Sequence, residues 1–245
     1  MRLAIISDIH SNIEALEAVI ADAAVFRIDR FICLGDIVGY GANPNLCIRR
    51  IASLPGIVSI LGNHDETARR KGPVYNMNPN AGQAVLWTRS RLSRESIAFL
   101  QKMLPLLKQD HMIFAHAAPW APLEWRYVLS ADQARRSFYR TKEKILFIGH
   151  THLPLMIRQE MLGTRFENPA ENSMMYAGDK NRFIINCGSV GQPRDGDPRA
   201  SYVIYDTKRK TILFRRIRYD CQKAAEKIVA AGLPESLATR LFHGV

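Results

Sequence analysis

Residues 2–15 read RLAIISDIHSNIEA, and the change from apolar to polar at the middle of this stretch decides the architecture. The run RLAIIS has the character of a buried strand. Asp8 and His10 follow at once, then Ser11-x-x-Glu14, the pattern of a capping box. Beyond it Ile13, Leu16, Val19, Ile20 and Ala23 recur at helical spacing. A buried strand that passes through a polar turn into an amphipathic helix opens a strand–helix–strand unit.

The unit repeats. RFICL (30–34) reads as a second strand, and Asn43-Pro44 suits the cap and first turn of a helix carrying Leu46, Ile48 and Ile51. IVSIL (57–61) is a third strand. The middle, roughly 64–104, reads as helical, with Ser93 as an N-cap. HMIFAHA (111–117) is another strand, and Ser130-x-x-Gln133 opens a helix before ILFIGH (145–150). After residue 153 the pattern is strand-rich: LPLMIRQE, FIINC, ASYVIYD and TILFRRIRY, the last two spaced as a hairpin. Two short helical stretches around Gly232–Pro234 close the chain. One α/β domain spanning 1–245, with two sheets, is the simplest expectation.

Composition narrows the function classes. The chain has 245 residues, 47% of them hydrophobic, with no low-complexity segment and no repeat at solenoid spacing. The first apolar run is too short for a signal-peptide core or a membrane span, so the expectation is a cytoplasmic protein. Cys33, Cys47, Cys187 and Cys221 form no C-x-x-C pair; Cys33 and Cys187, inside apolar runs, read as small buried hydrophobes, and neither disulfides nor a cysteine nucleophile is expected. The net charge of +11 suits an anionic partner, such as a phosphate ester or nucleotide. That charge is divided among ARRKG (68–72), ARRSFYRTKEK (134–144) and KRKTILFRRIR (208–218), without a single basic arm. Nucleic acid is therefore permitted and not favoured.

The polar residues after each strand carry the chemistry. RLAIIS is followed by Asp8-Ile9-His10 and RFICL by Gly35-Asp36. IVSIL is followed by Gly62-Asn63-His64-Asp65, HMIFA by His116, and ILFIG by His150-Thr151-His152. In open α/β sheets the carboxyl ends of strands converge on one crevice. Carboxylate, imidazole and carboxamide oxygen together suit Mn, Fe, Zn or Co. The donors are too many for one ion and about right for two, if one carboxylate bridges. Two ions held ~3.5–4 Å apart clamp an anionic ester and supply a hydroxide near neutral pH.

These five blocks, in this order, resemble the calcineurin-like metallophosphoesterase superfamily, in particular its small prokaryotic phosphodiesterase and diadenosine-tetraphosphatase-like branch, which the segment NCGSVGQPRDGDPRASY (186–202) also resembles. The resemblance implies a four-layer αββα sandwich of two mixed sheets flanked by helices, with a dinuclear centre at the sheet edges. It implies that Asp8, His10, Asp36 and His152 hold one ion, and that Asp36, Asn63, His116 and His150 hold the other, with Asp36 bridging and Mn or Fe favoured. His64 is implied to face the substrate phosphate as general acid or electrostatic stabiliser. The spacing of His150 and His152 then reflects one histidine for each ion.

Two departures from the family pattern bear on specificity. Where protein Ser/Thr phosphatases continue the second block as G-D-x-V-D-R-G, this chain reads GDIVGYG, which argues against a protein phosphatase. In the fourth block, His116-Ala117 replaces the commoner His-Gly. The expected activity is hydrolysis of phosphodiesters or nucleotide anhydrides by a metal-bridging hydroxide. Alternatives are a nuclease acting on DNA or RNA, or a non-catalytic scaffold of the same fold. Arg194, in the turn after FIINC, and Asn12 are candidate substrate-phosphate contacts, although helix capping is the plainer role for Asn12. Pro119, Trp120, Pro122 and Trp125 are placed to form an apolar wall beside the site or to pack in the interior. Substrate and oligomeric state are not specified by the sequence.

Overall fold

The structure, a computed structural model, describes residues 1–74, 77–178 and 180–245. Its first strand, β1 (Arg2–Ile6), shows why the opening stretch decides the fold. Successive side chains in a strand point to opposite faces. Leu3 and Ile5 enter a core shared with Phe114, Phe147, Ile185, Val203 and Tyr205. Ala4 and Ile6 enter a different core with Leu16, Val19, Ile48 and Ile51. A strand apolar on both faces is one covered on both faces.

Among the described residues, twelve strands form two six-stranded sheets. The first sheet contains β1, β2 (Arg30–Cys33), β3 (Val58–Ser59), β9 (Met174–Tyr176), β11 (Ala200–Asp206) and β12 (Thr211–Ile217), in the order β3-β2-β1-β11-β12-β9. The second contains β4 (Leu107–Gln109), β5 (Met112–Phe114), β6 (Ile145–Ile148), β7 (Pro154–Glu160), β8 (Gly163–Glu167) and β10 (Phe183–Cys187), in the order β4-β5-β6-β10-β7-β8. Both are mixed: β1 runs parallel to β2, and β6 parallel to β5 and β10, while β11 and β7 run antiparallel to their neighbours.

Helices α1 (Ile13–Val25) and α2 (Pro44–Ala52) cover the outer face of the first sheet. On the second sheet Leu146 and Ile148 pack under Ala134 and Phe138 of α6 (Ala131–Arg140), while Ile145 and Phe147 face the other sheet. The layers are therefore helix, sheet, sheet, helix, as expected. Removing a ring such as Phe147 from the inter-sheet core would cost about 3–5 kcal/mol.

Local readings hold with two adjustments. The Ser130–Gln133 capping box forms both bonds, Gln133 N to Ser130 Oγ and Ser130 N to Gln133 Oε1. Ser93 caps α5 (Arg94–Gln101). The first helix, however, is capped by Asn12, whose Oδ1 accepts from Ala15 N, and Ser11 Oγ has no such bond. Both residue types cap well, and the φ of +56° at Ser11 places that residue in the turn before the helix. The helical middle divides into α3 (Asn63–Arg69), α4 (Pro79–Arg91) and α5, with residues 75 and 76 of that stretch outside the described residues. At the C-terminus α7 (Cys221–Ala230) and α8 (Glu235–Thr239) flank the Gly232–Pro234 break. The four cysteines are free, three of them buried. Among the described residues no helix is long and apolar enough to cross a membrane.

Candidate metal centre

The parallel pairings β1–β2 and β5–β6–β10 bring strand carboxyl ends to one edge, where the polar blocks meet. Asp8, His10, Asp36, His150 and His152 all have positive φ, between 49° and 67°. Asp, Asn and His tolerate the left-handed region better than other non-glycine residues. Each such residue still costs about 1–3 kcal/mol, a strain that clusters at functional sites. The turns send each side chain back toward a common point. Two glycines make room for this: a Cβ on Gly62 would overlap Asp36 Oδ1, and one on Gly39, at φ +93°, would overlap the His64 ring.

All seven proposed ligands arrive there, buried or nearly so. His10 Nε2 lies 3.1 Å from His152 Nε2, and Asp8 Oδ1 lies 3.2 Å from His152 Nε2. On the other side His116 Nε2 lies 3.1 Å from His150 Nδ1 and 3.1 Å from Asn63 Oδ1. Between these groups stands Asp36. Its Oδ1 accepts from His64 N at 2.9 Å, and its Oδ2 is 3.7 Å from His10 Nε2 and 3.4 Å from His116 Nε2.

The remaining ring nitrogens fix the tautomers. His10 Nδ1, His116 Nδ1 and His152 Nδ1 face the carbonyls of Val38, Leu34 and Gln192. His150 is reversed, with Nε2 at 2.9 Å from Trp125 O. A carbonyl only accepts, so the nitrogen beside it carries the proton, and at His10, His150 and His152 the inward nitrogen presents a lone pair. His10 and His152 therefore aim two lone pairs at each other, with the unpartnered Asp8 Oδ1 beside them. Such a contact is repulsive without a cation between the donors. Three buried triads, Asp8–His10–His152, His10–Asp36–His64 and Asp36–His116–His150, bring ligand atoms within 4.8 Å of one another. The donor set fits divalent transition ions, and carbonyl-anchored imidazoles are the usual outer support of metal sites.

Charge states agree. Burial, helped by neighbouring imidazoles, lowers His10 well below its ordinary value and lowers His150 to about 3; burial also lowers His152. These rings are neutral at pH 7, as ligands must be. Burial opposes ionisation of Asp36, yet the charge of His116 and its hydrogen bond hold the carboxyl well below the usual range. Burial also opposes charge on His116, but Asp36 lifts it to about 9. That proton occupies a place where a metal cation would serve the same carboxylate.

The cleft above this floor is lined by Tyr40, Asn63, His64, Met77, Asn78, Tyr127 and Arg194, among others. Arg194 donates through Nη2 to Gln192 Oε1 at 2.8 Å and approaches Tyr40 Oη at 3.4 Å. Asn12 is not in the cleft: its amide is divided between Ala15 N and the carbonyl of Gly191. Asp65 does not bond His64. It joins two blocks, accepting from Val38 N and Gly62 N. Two aromatic rings line the cleft, Tyr40 and Tyr127, and Tyr127 is stacked on His150 at 4.4 Å with 12° between planes. Trp120 instead packs against the outer core of the second sheet, and Trp125 contributes its carbonyl.

Sequence reasoning passed over Tyr40, Tyr127 and Asn186. Tyr40 lies in GDIVGYG, whose departure from the protein-phosphatase form was visible. Asn186 pins the double-histidine turn, donating to Gly149 O and Thr151 Oγ1. Only its position at the end of FIINC, like the other strand-end polar residues, signalled it.

Known proteins share this fold. The calcineurin-like phosphoesterase superfamily domain matches residues 1–210. An uncharacterized protein of Methanocaldococcus jannaschii is 41% identical over 247 residues, covering 99% of this chain and 98% of its own. The crystal structure of a metallophosphoesterase from Sphaerobacter thermophilus superposes with a TM-score of 0.92 at 38% identity, covering 100% of this chain and 99% of that one. A hypothetical protein from Pyrococcus horikoshii shares the fold at 17% identity, with a TM-score of 0.79 and coverage of 100% and 98%. The chain belongs to the calcineurin-like phosphoesterase superfamily.

Proposed function

We propose that the protein is a metal-dependent phosphoesterase with a two-ion centre, acting on phosphodiesters or nucleotide anhydrides. Asp8, His10, Asp36 and His152 would hold one ion, and Asp36, Asn63, His116 and His150 the other, with Mn or Fe favoured. The observation that carries this reading is Asp36 Oδ2, poised between His10 Nε2 at 3.7 Å and His116 Nε2 at 3.4 Å, while Oδ1 is pinned by a backbone amide. One fixed carboxylate facing two sets of lone pairs suits a bridge. When bound, the ions supply Lewis acidity and a water-derived nucleophile near neutral pH.

The chain's own groups do the rest. Burial depresses His64 to about 4, with the nearby imidazoles and Arg194 adding to the effect and Asp36 opposing it. It therefore enters as a neutral imidazole. In that state it donates a ring N–H to a phosphoryl or leaving oxygen, and the negative charge of a bound ester favours its protonation. Arg194, above the cleft, offers a guanidinium to the non-bridging oxygens. Tyr40 holds both in place: its ring lies 4.5 Å from His64 and 5.8 Å from the Arg194 guanidinium carbon.

The cleft, open on one side, offers about 150 Å³, enough for a phosphoryl group and part of its substituent, so any larger substrate extends outward past Tyr127 and Asn78. The test is a comparison of kcat/KM for matched nitrophenyl diesters and monoesters with added Mn²⁺. A faster diester is expected, and a faster monoester would contradict the preference. A protein inert toward every phosphoester would contradict the activity itself.

A further inference from the structure

The turn after β10 reads GSVGQPR over 188–194 and ends on Arg194. It is stitched to the metal floor along its length. Val190 N donates to Ser7 O and Gly191 N to Asp8 O, each at 2.9 Å, and Ser189 Oγ donates to Asp8 O at 2.8 Å. A Cβ on Gly191 would overlap Ile9 O, so only glycine lets the turn lie this close to the end of β1. Gln192 follows, 2% exposed, with its N–H bonded to Ser189 Oγ at 2.8 Å. Pro193 restricts the Gln192 backbone further, because a residue before proline is biased toward extended conformations.

From this fixed position Gln192 serves two groups at once. Its carbonyl accepts from His152 Nδ1, behind the nitrogen that faces the metal floor. Its side-chain Oε1 accepts from Arg194 Nη2 at 2.8 Å, a closer partner than Tyr40 Oη at 3.4 Å from the same nitrogen. Arg194 N also approaches His152 O at 3.4 Å. Both side-chain bonds of Arg194 enter through Nη2. Among the described residues Nη1 makes none, and the side chain lines the cleft with Asp36, His64 and His152. The guanidinium is thus held by one nitrogen and presents another. Its holder is an amide oxygen, which orients the cation without neutralising it as a carboxylate would.

We propose that Gln192 is a positioning residue for the phosphate contact: it ties Arg194 to the metal ligand His152 and so fixes the guanidinium toward the phosphoryl group. The proposal rests on the phosphoesterase reading and adds to it the residue that orders its cation. An arginine free to sample its rotamers must be immobilised when the anion binds, and that cost weakens binding. Gln192 removes the cost in advance. Its bond to His152 is made by the main chain and survives any side-chain replacement, so such a change acts on Arg194 and spares the metal ligand.

The test is a double-mutant cycle read by binding, which does not depend on turnover. The full chain loaded with Mn²⁺ is titrated calorimetrically with inorganic phosphate. Gln192→Met conserves volume and removes the acceptor. It is expected to weaken phosphate by about tenfold, the worth of an arginine's rotamer freedom, with metal content at the wild-type value. On a nitrophenyl diester the change should fall on KM, with kcat within about twofold. Gln192→Ala should show the same loss of phosphate despite its poorer packing. In an Arg194→Ala background, Gln192→Met should alter phosphate affinity by less than about twofold, since the group it acts through is gone. Unaltered phosphate binding in Gln192→Met would overturn the proposal. So would a loss confined to Gln192→Ala, an equal loss with and without Arg194, or a loss of metal. Phosphate binding that Arg194→Ala leaves intact would overturn it as well. If the wild type hydrolyses no phosphoester yet shows this coupling, the function reading falls and the positioning role stands.

Discussion

The floor of the cleft and the arginine-rich ladder of β11–β12 both concentrate ionisable groups, and they resolve the electrostatics in opposite ways. On the ladder both arginines of β12 find acids: Arg216 pairs with Asp195, and Arg215 bonds both oxygens of Asp22, which also accepts from Tyr202 Oη at 2.6 Å. On the floor, acceptors face acceptors. His10 Nε2 meets His152 Nε2, and Asp8 Oδ1 has no donor. A region whose polar groups satisfy one another serves the fold. A region of convergent lone pairs, held by strained turns and anchored from behind by carbonyls, is arranged for something that the chain itself does not supply.

The sharpest way to break this contrast is to neutralise its centre. Asp36→Asn should lower activity by roughly 10³-fold or more, since a neutral amide bridges two cations poorly and several kcal/mol of charge stabilisation are lost. Metal content should fall with it; a variant with full metal and full activity would contradict the assignment. Next in size is the effect of metal on stability. A ligand at a hundred times its Kd stabilises by about 2.7 kcal/mol, so Mn²⁺ should raise Tm by roughly 5–10 °C in a chain of this length. Arg215→Ala should leave that increment intact.

A smaller effect separates His64 from its neighbours. Its folded pKa, about 4, lies below the unfolded value of 6.5. Between those values the unfolded chain binds the proton more readily. The His64 contribution is therefore complete above pH 6.5 and is lost as pH falls toward 4, to the extent of up to about 3 kcal/mol. In metal-free protein, His64→Gln should flatten the fall in stability between pH 6.5 and 4 relative to wild type. An unchanged slope would contradict the buried, neutral state. The smallest expected change is on the ladder itself. Arg215→Ala should cost about 1–2 kcal/mol, by stripping a partly buried carboxylate of its partner, while kcat/KM stays within about twofold. Lost catalysis there would dissolve the distinction between the two regions.

What was legible follows the same division. The strand-end blocks stood out because Asp, Asn and His each follow an apolar run, and a strand's carboxyl end fixes where such residues gather. The inter-sheet core was readable from RLAIIS and ILFIG, since both faces are apolar. Edge strands were not: LKQ, GTRFE and MMY are short and partly exposed, so no periodic pattern marks them. The choice between Ser11 and Asn12 as cap escaped too, because both are good caps one residue apart and only the turn geometry decides. Tyr40, Tyr127 and Asn186 come to the site through tertiary packing, and spacing along the chain does not encode their approach.

The central claim, that Asp36 joins two ions in one centre, is tested most directly by titrating metal-free protein with Mn²⁺ while recording its electron paramagnetic resonance spectrum. Two ions per chain are expected to bind, with loss of the isolated-ion signal as the second enters, because a shared carboxylate couples their spins. In Asp36→Asn that coupling should vanish. Saturation at one ion per chain, or two ions that keep the spectrum of separate ions, would contradict the account.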